Sequence, residues 1–239
     1  MSRSGRAPGS GAGDSAMDVA AREHAGEGAA STPRRRSVSD LAARREEILD
    51  AATELFAIHG YSDAVTQALA DRLGVGKGTV YRYFPSKREL FLASVDRVMR
   101  RLREHIDAHI EGVVDHLDRL ARAIEAFLSF FERHPKFAEL LIQERALFKD
   151  RERPTMVEHR EVSRARWREV YRGLIAEGRL RDIPVDRITD VVGDLTYGTM
   201  FTNYSTGRQR PAAEQAQAIV DVVFFGILSV EEQKRRRSV

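Results

Sequence analysis

The sequence predicts an all-α protein, with a three-helix N-terminal unit ahead of a larger helical one. Three observations lead there. From about residue 42 onward apolar residues recur at helical spacing, and the prolines fall between the periodic stretches rather than inside them. No strand-like alternation of useful length occurs, and no repeat of 20–50 residues is present.

The composition narrows the function classes. The chain has 239 residues, 42% of them hydrophobic and 31% charged, as expected of a soluble globular protein. It has no cysteine, which removes a disulfide framework, a thiolate metal site and a cysteine nucleophile. No apolar run reaches the roughly 18 residues of a membrane span. The formal charge of +3 is too small to call for nucleic acid by itself, so the position of the charges has to decide.

Residues 1–41 are rich in Gly, Ser, Ala and Arg, lack aromatics, and show no period; they are expected to be disordered. No apolar stretch suited to a signal peptide follows the first charges. The segment contains Arg34, Arg35 and Arg36, and a basic tail over 232–239 contains Lys234, Arg235, Arg236 and Arg237. Solvated tails are the ordinary reading of both, and phosphate-binding arms the sharper one.

The first helix presents Ile48, Ala52, Leu55, Phe56 and His59 on one face and stops at Gly60. A second is predicted over 65–73 ahead of Gly74, and a third over 77–84, stopped by Pro85. A fourth begins at Ser86 with the capping box Ser86-Lys87-Arg88-Glu89. Ala70 lets two helices cross closely and Gly74, four residues on, suits a left-handed turn, while Leu69, Leu73, Val75 and Val80 supply apolar faces. This is the pattern of a helix-turn-helix.

Charge placement favours a nucleic-acid face over a plain helical hairpin. From Arg72 to Arg88 there are five basic residues and no acidic one, whereas the window 41–90 holds seven of each sign. Thr79, Tyr81 and Tyr83 are interleaved with them, side chains suited to phosphate or base edges, and the start of the third helix offers free N–H groups.

Gly60-Tyr61 and LADRLGVGKGTVYRYFPSKRELF (69–91) resemble the DNA-binding domain of the TetR (tetracycline repressor) family of transcriptional regulators. The resemblance covers about 42–102, the expected DNA-binding domain, and leaves 103–231 as a helical ligand-binding and dimerisation domain. It implies that the third helix enters the major groove, with Lys77, Gly78, Thr79, Tyr81, Arg82 and Tyr83 as contacts, Val80 and Phe84 facing inward, and Lys87 on a phosphate. Thr66 is a further candidate contact. The family commonly has a hydroxyl residue where this chain has Val65, with Thr66 one position late. Gly76 stands where relatives often carry Ser, and Tyr83 where histidine is frequent.

In the remainder, His134-Pro135, Arg153-Pro154, Gly178, Pro184, Thr206-Gly207 and Pro211 punctuate helices. Val220, Val223, Phe224, Ile227 and Leu228 form an apolar stripe, and the preceding helix holds the small residues Gly193, Thr196, Gly198, Thr199 and Ser205. The family resemblance implies that these two helices pair with a second copy, with Val220, Val223, Phe224 and Ile227 at the interface. Aromatics are dense over 127–204; Phe127, Phe131, Trp167, Tyr171, Phe201 and Tyr204 are the candidates to line a pocket for an apolar or aromatic effector.

Catalysis finds little support. His105 and His109 lack a third metal ligand at a recognised spacing and read as surface residues. GVGKGT (74–79) lacks the full phosphate-loop frame and follows no strand. The expectation is a cytoplasmic, nucleoid-associated, non-enzymatic regulator without cofactor, most simply a repressor, acting as a homodimer on double-stranded palindromic operator DNA and released by a small-molecule effector. The alternative is a helical interaction module or enzyme whose basic hairpin binds an acidic partner.

Overall fold

The computed structural model describes residues 38–228 and 233–235, and among them there is no strand. The helices are α1 (Val38–Asp63), α2 (Thr66–Arg72), α3 (Lys77–Tyr83), α4 (Lys87–Ile110), α5 (His116–Arg133), α6 (Lys136–Leu147), α7 (Thr155–Ala176), α8 (Val185–Thr206) and α9 (Ala212–Phe225). The predicted disordered segment is too long by four residues, because 38–41 already belong to α1; the rest of it lies outside the described residues. Of the basic tail only 233–235 are described, as a helical turn.

α1 buries Ile48, Leu49, Ala52 and Phe56. Gly60 breaks it with φ 71° and ψ 177°, a conformation that disfavours side chains, and the Gln143 amide fills the space 2.7 Å from where a Cβ would lie. α2 ends in a Schellman arrangement around Gly74 (φ 61°): Val75 N–H donates to Ala70 C=O at 3.0 Å and Gly74 N–H to Asp71 C=O at 3.1 Å. Ala70, fully buried, permits the crossing that this turn sets up. At the other end of α2 the departure at Val65 has its consequence, since that residue is the N-cap, is exposed, and caps nothing. Ser86 does cap α4, its Oγ accepting from Glu89 N–H at 3.1 Å.

The boundary expected at 102/103 is not a physical break. α4 runs through it without interruption, and the described residues cluster as one unit. The first half of α4 packs on α1 through Phe91, Val95 and Val98, and Asp50 of α1 accepts from Arg97 Nε at 2.9 Å and Arg101 Nη2 at 2.7 Å. Its second half packs against α5 and α7. A continuous helix is stiff, so the two halves of the molecule share one lever.

α6 sits beside α1, α4 and α8. Its Glu144 is 1% exposed but fully engaged: the carboxylate accepts from Thr155 N–H at 2.9 Å, from Thr155 Oγ1 at 2.7 Å, and from Arg151. Pro154 offers α7 no side-chain cap, so this carboxylate from another helix supplies the negative charge its N-terminus needs. The prolines and glycines punctuate as predicted. Pro154, Pro184 and Pro211 immediately precede α7, α8 and α9, and Gly178 and Gly207 follow α7 and α8 with positive φ.

His105 is not a simple surface residue. It is half-buried, its Nε2 lies 3.1 Å from Ser129 Oγ, and its ring is 4.1 Å from that of His109. Burial, reinforced by His109, Arg133 and His134, pushes its pKa down from 6.5 to about 4. The unfolded chain takes up this proton near 6.5 and the folded chain resists it to about 4. Stability is therefore full above the upper value and lost as pH falls through that window. The urea midpoint is expected to drop between pH 7 and pH 5, and to drop less in His105→Gln. An equal drop in both proteins contradicts this account.

Candidate DNA-binding face and effector cavity

α3 is anchored by Val80, which is completely buried, and Phe84 at its end, 3% exposed; both face inward as predicted. That leaves Lys77, Gly78 and Arg82 exposed and Thr79 and Tyr81 half-buried at the rim. The five basic residues of 72–88 are not equivalent. Arg72 is paired with Glu54 at 2.6 Å and Arg88 with Asp150, so neither presents an unbalanced charge. Lys77 lies over the Tyr81 ring at 5.8 Å and Arg82 over Tyr83 at 5.5 Å, and among the described residues neither has a carboxylate within ion-pair distance. Lys87 Nζ donates to Ser62 C=O at 3.0 Å and lies over Tyr61, leaving two N–H donors and its whole charge.

Two of the sequence candidates need correction. Tyr83 packs against the core with its hydroxyl buried and without a partner among the described residues, so it offers no donor at the surface. Thr66 is 7% exposed, and its Oγ1 accepts from Tyr81 O–H at 3.3 Å. It steadies Tyr81 from behind rather than presenting a hydroxyl to solvent. The cause is the one-residue offset: Val65 takes the outward cap position and Thr66 turns inward.

Behind this face, α4, α5, α7 and α8 enclose a cavity of about 260 Å³, slightly under the size range usual for small-molecule sites. Phe127, Trp167 and Tyr171 line it, as the aromatic density suggested. Phe131 and Tyr204 do not; they border a separate cavity of about 560 Å³ between α5, α6 and α8, and Phe201 lines neither, being packed against the main core. Tyr204 is a structural link: its O–H donates to Glu139, a bond that pushes its pKa up to about 12. Tyr197, another of the aromatics over 127–204, lines the first cavity too, and the residues missed are Met99, Arg103 and Ile106 of α4 and Val192 and Thr196 of α8. For the α4 residues the signal was the apolar period Met99, Leu102 and Ile106, which continues across the expected boundary at 102/103.

A chain of hydrogen bonds joins α8 to the N-terminal helices. Glu139 accepts from Tyr204 O–H and, at 2.7 Å, from Gln143 Nε2; Gln143 Oε1 in turn accepts from Tyr61 N–H at 2.7 Å, just past the Gly60 break. Nothing in the local sequence pattern marks this link, because its members lie 65 and 82 residues apart.

The predicted pairing stripe is divided. α9 ends at Phe225 with Gly226 (φ 76°), so Ile227 and Leu228 are exposed but lie beyond the helix. Val220 is 8% exposed and belongs to this chain's own core, with the partly buried Val223 and Phe224 packed against it. Gly193 likewise makes room within the chain, since a Cβ there would lie 2.8 Å from Arg160 Nη2. The outward apolar face consists of Val191 and Leu195 on α8 with Val222 and Phe225 on α9, the last 73% exposed. Gly198 lies open on α8, with nothing within 4 Å of where a Cβ would be.

Two family models match the chain in tandem. Residues 48–94 match the bacterial regulatory proteins of the tetR family, and residues 113–224 the tetracyclin repressor-like C-terminal domain. The HTH-type transcriptional activator FasR of Mycolicibacterium smegmatis is 36% identical over 100 residues, 42% of this chain and 46% of FasR. The nucleoid occlusion factor SlmA of Vibrio campbellii is 31% identical over 108 residues, 45% of this chain and 55% of SlmA. The matched stretch thus spans about half the length of these curated relatives. The transcriptional regulator FadR from Bacillus subtilis, solved in complex with stearoyl-CoA, superposes with a TM-score of 0.64 over 77% of this chain and 99% of its own at 18% identity, a likeness of fold. With both models matched in the order and positions the helices require, the chain belongs to the TetR family of bacterial regulatory proteins.

Proposed function

We propose that the protein is a sequence-specific DNA-binding regulator of transcription, acting as a homodimer and responding to a small molecule held in the α4–α5–α7–α8 cavity. The observation that supports it most is the α3 face: Lys77, Arg82 and nearby Lys87 are cations without carboxylate partners among the described residues, set around Tyr81 on a helix locked by Val80 and Phe84. Unbalanced charge supplies affinity for phosphate, and rigidly mounted polar side chains supply discrimination among base edges. Lys77, Gly78, Thr79, Tyr81 and Arg82 are the proposed groove contacts, and Lys87 a phosphate contact. Such a protein works in the bacterial cytoplasm, where the chromosome is, and among the described residues no helix is long and apolar enough to cross a membrane. Occupancy represses when the site overlaps a promoter.

The proposed dimer uses the outward face of α8 and α9, with Val191, Leu195, Val222 and Phe225 in place of the inward-turned Val220. A two-fold axis through that face would set the two α3 helices on successive major grooves, about 34 Å apart, and read a palindrome. An effector would act by preferring one spacing of the two halves, because a ligand that binds both conformations equally shifts nothing. α4 supports such coupling, as it lines the cavity with Met99 and Ile106 and holds α1 with Phe91, and the Tyr204–Glu139–Gln143–Tyr61 link offers a second route.

Binding to DNA from upstream of the protein's own reading frame should weaken steeply as salt rises. Lys77→Ala and Tyr81→Ala should each cost about 1–3 kcal/mol on that DNA and little on random DNA, while Lys87→Ala should weaken both more evenly. Unchanged affinity in all three variants contradicts the placement of the reading face. In sedimentation at micromolar concentration the wild type should run as a dimer of the 27.0 kDa chain, and Val222→Glu with Phe225→Glu as a monomer. A monomeric wild type overturns the dimer.

A further inference from the structure

The cavity walls are largely apolar, yet four guanidinium groups border them: Arg103, Arg160, Arg164 and Arg166. Three of these are neutralised within the chain. Arg160 Nη2 lies 2.7 Å from Asp194 Oδ1, Arg164 Nη2 lies 2.6 Å from Asp190 Oδ1, and Arg166 is paired with Asp107.

Arg103 differs. Its Nη2 lies 2.8 Å from Nδ1 of His159, and among the described residues no carboxylate lies within ion-pair distance of it. The other ring nitrogen of His159, Nε2, lies 2.7 Å from Asp96 Oδ1, which belongs to a carboxylate that also accepts from Arg100 Nε at 2.9 Å. A guanidinium only donates and a carboxylate accepts, so the tautomer that suits both neighbours is the neutral one with its proton on Nε2. His159 therefore positions Arg103 without cancelling its charge. A half-buried cation facing an apolar cavity is costly to keep unpaired, and a ligand that brings a counter-charge removes that cost.

We propose that the effector is an amphipathic monoanion, with an apolar chain or ring lying among Ile106, Ile124, Phe127 and Tyr197 and a carboxylate that accepts hydrogen bonds from the Arg103 guanidinium. One unneutralised cation matches one negative charge, whereas a polyanionic head group would need several. The inference rests on the cavity being the effector site. Its volume of about 260 Å³, slightly under the usual range of small-molecule sites, suits a single short chain or ring rather than a bulkier ligand.

The chain has a single tryptophan, Trp167, and it lines this cavity, so its fluorescence reports occupancy directly. The full-length protein is titrated with decanoate, methyl decanoate and decanoyl-CoA. Decanoate should change the emission saturably and bind about 10- to 100-fold more tightly than the methyl ester, the range of a charge-assisted hydrogen bond. Arg103→Gln should bring acid and ester together, and Arg103→Lys, which keeps the charge, should retain part of the difference. Helicity and DNA binding of the free variants serve as the control for folding. Acid and ester binding equally to the wild type, or decanoyl-CoA outcompeting decanoate, overturns the monoanion and leaves the cavity as an effector site. No response of Trp167 to any of the three overturns both.

Discussion

Phe91 enters the space between α1 and α6 edge-on to Phe56, with ring centroids 5.1 Å apart, and meets Tyr61, itself stacked on Phe56, at the same distance. Phe148, from the end of α6, closes the cluster against Tyr61 and Phe91. Burying a ring of this size contributes about 1.5–3 kcal/mol, and edge-to-face pairs add roughly 0.5–1.5 kcal/mol each. These four side chains hold the helix-turn-helix to the rest of the molecule. They fix α1 on α4, place the Gly60 break against Gln143, and so determine the direction in which α3 faces solvent. Asp50, accepting from Arg97 and Arg101, ties the same seam from its wetter side.

Because the seam joins α4 and α6 to α1, the proposed response to an effector would have to pass through it to reach the N-terminal helices. Met99, Leu102 and Arg103 stand on the same unbroken helix as Phe91, two to three turns further on. A ligand that displaced α4 by a fraction of a turn would move the whole three-helix unit, since close-packed aromatics transmit displacement rather than absorb it. Among the described residues no comparable cluster links α9 to α3. Its part in the proposed regulator is to fix where a second copy sits.

Much of this was legible in the sequence because it is local. The Ala70–Gly74 spacing, the Gly76–Phe84 stretch and the Ser86 cap each act over a few residues, and the structure has the turn, the inward Val80 and Phe84, and the capped α4 that those residues require. The orientation of individual polar side chains was less legible. Tyr83 and Thr66 have surface-compatible chemistry, but α2 buries Thr66 with Leu69 and Ala70, α3 buries the Tyr83 hydroxyl along with Val80, and only the packing of the helices decides this. The α9 stripe failed for a related reason: periodicity identifies an apolar face and is silent on whether its partner is the same chain. Arg103 could not be singled out at all. It is set apart by Asp107, Asp190 and Asp194, which pair with the other three cavity arginines.

The central claim is that α3 reads specific DNA sequences rather than binding acidic partners in general. Genome-wide occupancy of the native protein tests it most directly. The account predicts a small number of sharp peaks that share a palindromic sequence and vanish in Tyr81→Ala. Diffuse occupancy that follows DNA content, unchanged by that substitution, would contradict it.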